Sequence, residues 1–149
     1  MSQQFDTGLG LKIILPDGAA PIEESSAGPA SRQFSLVNGD VISVVRDDSA
    51  ATDLLGLLAW AQGMAQHYVQ EFDAVEDAQG NINSAGKQSY AYAVTFKDAN
   101  GVPRRATLIA TLLGEGIFAG ITLLAINASQ NLDLELVQQL VDGLAPSES

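Results

Sequence analysis

Few side chains in this sequence can do acid–base, nucleophilic or metal chemistry, and their spacing fits no familiar arrangement. His67 is the single histidine, so a general acid–base role would need a partner from elsewhere in the chain, and no second histidine can supply it. Its position, seven residues after Trp60, puts it off the main apolar stripe of a helix, as a partly exposed residue. Glu71, Asp73, Glu76 and Asp77 raise the question of calcium. An EF-hand loop with Gly80 in its sixth position would place Val75 first and Gln79 fifth, and one built on Gly101 would start at Phe96. Neither register supplies the oxygens, so the acidic run reads as a solvated helix end and loop. Gly8-Leu9-Gly10 and Gly114-Glu115-Gly116 lack the remainder of any phosphate-binding fingerprint, and G-x-S-x-G is missing. Cysteine is absent, which excludes thiol catalysis, cysteine-ligated zinc, iron–sulfur clusters and disulfides. The expectation is no catalytic residue, no metal site and no cofactor.

Two further groups stand out. Arg104-Arg105 is the only basic pair and opens a strand, where neighbours point to opposite faces; a solubility role is the default, with an acidic neighbour for one of them as the alternative. Tyr90, Tyr92 and Phe96 share one face of a strand and read first as core, second as a ligand platform.

The elements that position these residues follow from periodicity. Residues 9–15 are an apolar run stopped by Pro16-Asp17-Gly18, and 19–31 has the composition of a mobile loop. Asn38-Gly39 joins strands at 32–37 and 41–46, because both turn residues tolerate positive φ. Leu54, Leu57, Leu58, Ala61, Ala65, Tyr68 and Phe72 recur at helical spacing over 52–72, behind N-cap candidates that include Ser49, Thr52 and Asp53. Strands follow at 90–97, 105–113 and 117–126, with a short extra strand possible at 81–85. A closing helix spans 132–143, capped by Asn131 or Asp133, and 146–149 form a frayed tail. The run 117–126 is apolar on both faces and therefore belongs at the centre of the sheet. Tight turns between successive strands make the fold α+β, with one antiparallel sheet of about six strands and two helices packed on it.

Length and charge bound the rest. A chain of 149 residues makes a single domain, residues 1–149, and buries about 70% of its unfolded surface without staples. Seven basic against eighteen acidic residues, a formal charge of −11, argue against nucleic acid and anionic membranes as partners. No apolar stretch is long enough for a membrane helix, and the first residues carry no secretory pattern. The expected location is cytoplasmic, or extracytoplasmic if a leader has been removed.

The order of elements, with several local signatures, resembles the PsbP/Mog1-like fold. Those signatures are the strand running into Pro16-Asp17-Gly18, the Asn38-Gly39 hairpin before a long helix, and Ala85-Gly86 ahead of Tyr90-Ala91-Tyr92. The Asp98 to Gly101 turn with Arg104 and Arg105, and Gly116-Ile117-Phe118 opening the last strand, complete the set. Two departures are Gly18 where a tryptophan often follows the proline, and Gly143-Leu144-Ala145 where a serine-phenylalanine pair is common. The resemblance implies a non-enzymatic adaptor or chaperone. Effector-associated secretion chaperones are one branch, shielding apolar segments of a secreted effector and often dimeric. DcrB-like or PsbP-like extracytoplasmic accessory proteins are another. A small-molecule enzyme of the cone-shaped α+β kind, using His67 or a carboxylate, is the competing class. With two helices to cover an apolar sheet, one sheet face is expected to stay open for a protein partner or a second copy. The candidate contact residues, on the strand faces near the two meander hairpins, are Tyr90, Tyr92, Phe96, Phe118, Ile121 and Leu123, with the 19–31 loop as the next choice.

Overall fold

The structure, a computed structural model, describes residues 2–6, 10–22, 31–37, 39–46, 53–84, 87–113, 117–125 and 134–146. The hairpin expected at Asn38-Gly39 joins β4 (Ser31–Ser35) to β5 (Val41–Arg46). Gly39 takes φ +95°, a conformation that costs an L side chain energy, and donates its N–H to the Leu36 carbonyl at 2.9 Å. Ahead of this hairpin lie β1 (Ser2–Asp6), β2 (Leu11–Pro16) and β3 (Ala20–Ile22).

The helix α1 (Leu54–Phe72) starts at Asp53, whose carboxylate accepts the Gly56 N–H at 2.8 Å and so satisfies one orphan donor of the first turn. Behind it the chain runs through β6 (Val75–Ser84), β7 (Lys87–Lys97), β8 (Pro103–Leu112) and β9 (Phe118–Ala125) to α2 (Leu134–Gly143) and the short β10 (Ala145–Pro146). Every strand pairing among the described residues is antiparallel.

Two sheets result. The larger has the order β3-β4-β5-β9-β8-β7-β6, with the doubly apolar β9 in the middle as its sequence requires. The smaller is β1-β2-β10. The α+β class holds, and two details change. The large sheet has seven strands, and the opening strand leaves it: β2 pairs with β1 and β10. Periodicity marks a strand but not the sheet it joins. β6 also replaces most of the expected polar loop, its pairing with the long β7 overriding poor strand propensity.

The large sheet is covered on both faces. On one, Leu57, Ala61 and Ala65 of α1 pack on Tyr90, Val94, Leu108, Ala110 and Phe118. On the other, Leu11, Ile13 and Leu15 of β2 join Val137, Leu140 and Val141 of α2 against Ile42, Val44, Ile109, Ile121 and Leu123. Gly143 makes that closure possible, because a Cβ there would lie 2.6 Å from Ile14 Cβ. The face expected to stay open is thus covered, since β1, β2 and β10 form a lid the strand count had assigned elsewhere. No helix among the described residues is long and apolar enough to cross a membrane. Pairing with β4 makes a strand of Ala20–Ile22 in the expected 19–31 loop, Ser31 opens β4, and pairing with β2 draws Pro146 out of the expected tail. The cap candidates Ser49, Thr52, Asn131 and Asp133, residues 23–30, Ala85-Gly86 and the last three residues lie outside the described residues.

Candidate functional site

The stop signal of α1 brings two of the exposed large apolar side chains, Phe72 and Val75, to one place. Asp73 adopts the left-handed conformation at φ 55°, tolerated by a short polar side chain, and donates its N–H to the Val69 carbonyl at 3.0 Å. Ala74 donates to the Tyr68 carbonyl at 3.3 Å, and the chain enters β6 at once. Two apolar residues from different elements, Phe72 and Val75, are thereby set side by side. Val75 pairs with Thr95 of β7.

Two rings, Phe72 and Phe96, form the wall, and Tyr68 backs them. Phe72 stacks on Phe96 with centroids 4.8 Å apart, and Tyr68 stacks on Phe96 at 5.3 Å. Burial pushes the Tyr68 hydroxyl above its ordinary pKa. Phe96 is buried, whereas Phe72 remains 41% exposed and Val75 62% exposed. Together with Lys97 and Pro103 they line a depression of about 460 Å³. The turn beside it is stiffened by Asp98, which accepts from the Asn100 and Val102 N–H groups and holds Arg104 Nε at 2.6 Å. That arrangement, the Arg104 bond first, holds the Asp98 carboxyl below its ordinary pKa and leaves Val102 partly exposed.

Asp73 and Lys97 line the depression, and further acidic residues flank it in sequence. Glu71, Asp73, Glu76 and Asp77 are all exposed. Glu76 accepts the Tyr92 hydroxyl at 3.0 Å and the Gln79 amide at 2.8 Å, and the Tyr90 hydroxyl donates to Gln79. Burial first, and Glu76 second, raise both tyrosine pKa values, because a phenolate beside a carboxylate is disfavoured. Asp77 bridges Arg105 at 2.8 Å. The two basic neighbours therefore part as strand geometry demands, Arg104 to Asp98 and Arg105 to Asp77, each with an acidic neighbour.

The sequence-derived contact residues fall mostly inside. Tyr90, Phe96, Phe118, Ile121 and Leu123 are buried, and only Tyr92 is part-exposed. Phe96 alone of them borders the depression. His67 is exposed on α1 with its ring edge-on to Tyr68 at 5.4 Å. Among the described residues no group of three His, Asp or Glu side chains could hold a metal. A smaller cavity of about 220 Å³ lies between Val137 of α2 and Ala78, Gly80, Ala91 and Ala93, and contributes no titratable group. The short extra strand possible at 81–85 matches the end of β6, whereas Val75 and the first part of β6 were missed because Glu76-Asp77-Ala78-Gln79-Gly80-Asn81 looks like a loop.

No protein-family model matches the chain, and no curated protein matches it. Solved structures do. The solution structure of cyanobacterial PsbP (CyanoP) from Synechocystis sp. PCC 6803 superposes with a TM-score of 0.66 at 13% identity, over 97% of this chain and 92% of that one. A Pseudomonas aeruginosa protein of unknown function, PA94, described as a putative regulator, gives a TM-score of 0.47 at 12% identity, over 85% and 84% of the two chains. Thirteen per cent identity with agreement over nearly the whole length speaks for the arrangement of elements alone: the chain has a PsbP-like fold.

Proposed function

We propose that this protein is a non-catalytic binding module that holds an apolar segment of a protein partner at the end of α1. The observation that carries the reading is the depression between Phe72, Val75, Phe96 and Pro103, where a valine 62% exposed sits beside a half-exposed phenylalanine. Both are anchored by rigid elements, so little ordering entropy is lost when a partner covers them. Apolar floors with charged rims are the usual anatomy of a protein contact. A catalytic reading has less to work with. His67 lines neither of the cavities described, and of the carboxylates nearby Glu76 is engaged by Tyr92 and Gln79, Asp98 by Arg104 and Asp77 by Arg105.

Site-specific photocrosslinking in the native host tests this. A photoreactive residue at Val75 is expected to yield a discrete adduct that Phe72→Ser abolishes, while the same group at Gln66, on the exposed side of α1, yields none. Equal adducts at both positions, or none at Val75, would refute the assignment.

A further inference from the structure

Among the described residues no further strand pairs with either end of the seven-stranded sheet, and the two ends are not alike. At one end β3 is three residues long and contains Pro21, a short edge with a missing donor, as proteins use to block further pairing. At the other end β6 runs for ten residues without a proline. Its register against β7 shifts between Glu76 and Ala78 and then continues unbroken from Ala78↔Ala93 to Ser84↔Lys87. Gln79, Gly80 and Asn81 in this regular stretch are exposed. A strand alternates the direction of its N–H and C=O groups, so half of those on an edge strand point away from the sheet. The open edge begins at Val75, the residue that lines the apolar depression.

We propose that β6 receives the partner as an added β-strand, and that this strand is a basic, extended segment with an apolar anchor. The proposal rests on the docking reading above and names its mode and chemistry. Backbone bonds along Ala78–Ser84 supply the pairing, and the anchor side chain seats between Phe72, Val75 and Pro103. Charge selects the occupant. At the anchor end Asp73 lines the depression and Glu71 and Glu76 are exposed beside it in sequence, three acidic groups against one lining cation, Lys97, with Asp77 held by Arg105, on a chain of formal charge −11. A second copy would bring the same acidic cluster and the same net charge to the edge, whereas Lys or Arg side chains on an added strand meet opposite charge. The bulge after Glu76 marks where regular pairing stops and the anchor begins.

The test uses the purified full chain and a fluorescein-labelled ten-residue peptide of alternating Lys and Val, read by fluorescence anisotropy. A peptide of the same charge with proline at every third position is the control for plain electrostatic attraction. Gly80→Pro and Asn81→Pro are made as a pair. N–H directions alternate, so one of them removes an outward donor while leaving the β6–β7 ladder intact. That folded variant is expected to bind the Lys/Val peptide about tenfold more weakly, as is wild type with the peptide N-methylated at alternate residues. The proline-rich control is expected to bind at least about tenfold more weakly than the Lys/Val peptide. Val75→Asp separates the two claims. Loss of binding in Val75→Asp with none in the folded proline variant keeps the docking surface and overturns strand addition; no effect of any variant overturns both. If neither proline variant folds, the N-methylated peptide decides. Equal affinity for the control peptide, or dimerisation through this edge that the Lys/Val peptide does not reverse, overturns the basic-strand occupant.

Discussion

Asp77 and Arg105 lie on strands separated by β7 and are joined, carboxylate to guanidinium Nε, at 2.8 Å. The β6 bulge makes the contact possible. Glu76 pairs with Val94 and Ala78 with Ala93, so Asp77 is the extra residue, free to turn out of the ladder and reach across β7. Arg105 is buried at 9% side-chain exposure, and its charge depends on this partner more than Asp77 depends on it. Removing the carboxylate takes a charged partner from a buried cation. Asp77→Ala is expected to lower stability by about 1–3 kcal/mol, and Arg105→Met in the same background to recover part of it. Urea unfolding of the three proteins measures this; a cost near zero for Asp77→Ala would show that Arg105 is held by its other contacts.

Thr107 presents the opposite case. Its hydroxyl is buried in β8 with no hydrogen-bond partner among the described residues, while nearby Ser89 and Thr111 satisfy each other at 2.6 Å. Replacing a stranded hydroxyl with a methyl of the same shape removes a desolvation cost. Thr107→Val is expected to raise stability by about 1 kcal/mol, visible as a higher urea midpoint at unchanged slope. Destabilisation instead would mean that the hydroxyl is engaged.

Gly120 sets how closely α1 approaches β9. A Cβ there would fall 2.5 Å from Trp60 Cζ2 and 3.1 Å from Val45 Cγ2, and Trp60 is also edge-on to Phe118 at 5.4 Å. Gly120→Ala is therefore expected to cost about 1–3 kcal/mol through overpacking. Trp60 is the only tryptophan, so its emission should shift to the red as the indole is pushed outward. An unshifted spectrum at wild-type stability would contradict this packing.

Asp98 gives the fold an acid-sensitive turn. Its carboxyl lies below its ordinary pKa, chiefly through the Arg104 hydrogen bond and then the Val102 N–H. A depressed carboxylate pKa adds stability that is present above the unfolded value, near 3.9, and is lost as pH falls through the lower folded value. Asp98→Asn should therefore be less stable than wild type at neutral pH, the gap closing only in strong acid. Unfolding midpoints of both proteins across that range test it; a gap independent of pH would assign the effect to something other than the charge.

The strongly periodic elements were legible in the sequence because each carries its own reason. Asn38-Gly39 demands a hairpin, the Leu57, Ala61 and Ala65 stripe demands a buried helix face, and the two-faced 117–126 run demands a central strand. β1, β10 and the first part of β6 were not legible. Ser2–Asp6 lacks an apolar run, β6 is rich in Asp, Gln, Gly and Asn, and β10 is two residues long with a proline. Such strands exist through their neighbours, and a neighbour is invisible to local pattern. The same gap hid the candidate site. Phe72 was read correctly as part of the helix stripe, but its partial exposure follows from where β6 begins.

Within the seven-stranded sheet, five of the six neighbouring pairs join strands consecutive in sequence, and β5–β9 is the exception. The sheet is thus two local meanders, one before α1 and one after it, sewn by a single distant seam. Each meander closes only short loops, while the seam must close the whole stretch between Val41 and Leu124 in one step. The late, slow event in folding is therefore the meeting of two preformed halves, and the six residue pairs from Val41↔Leu124 to Arg46↔Ala119 are where the search ends.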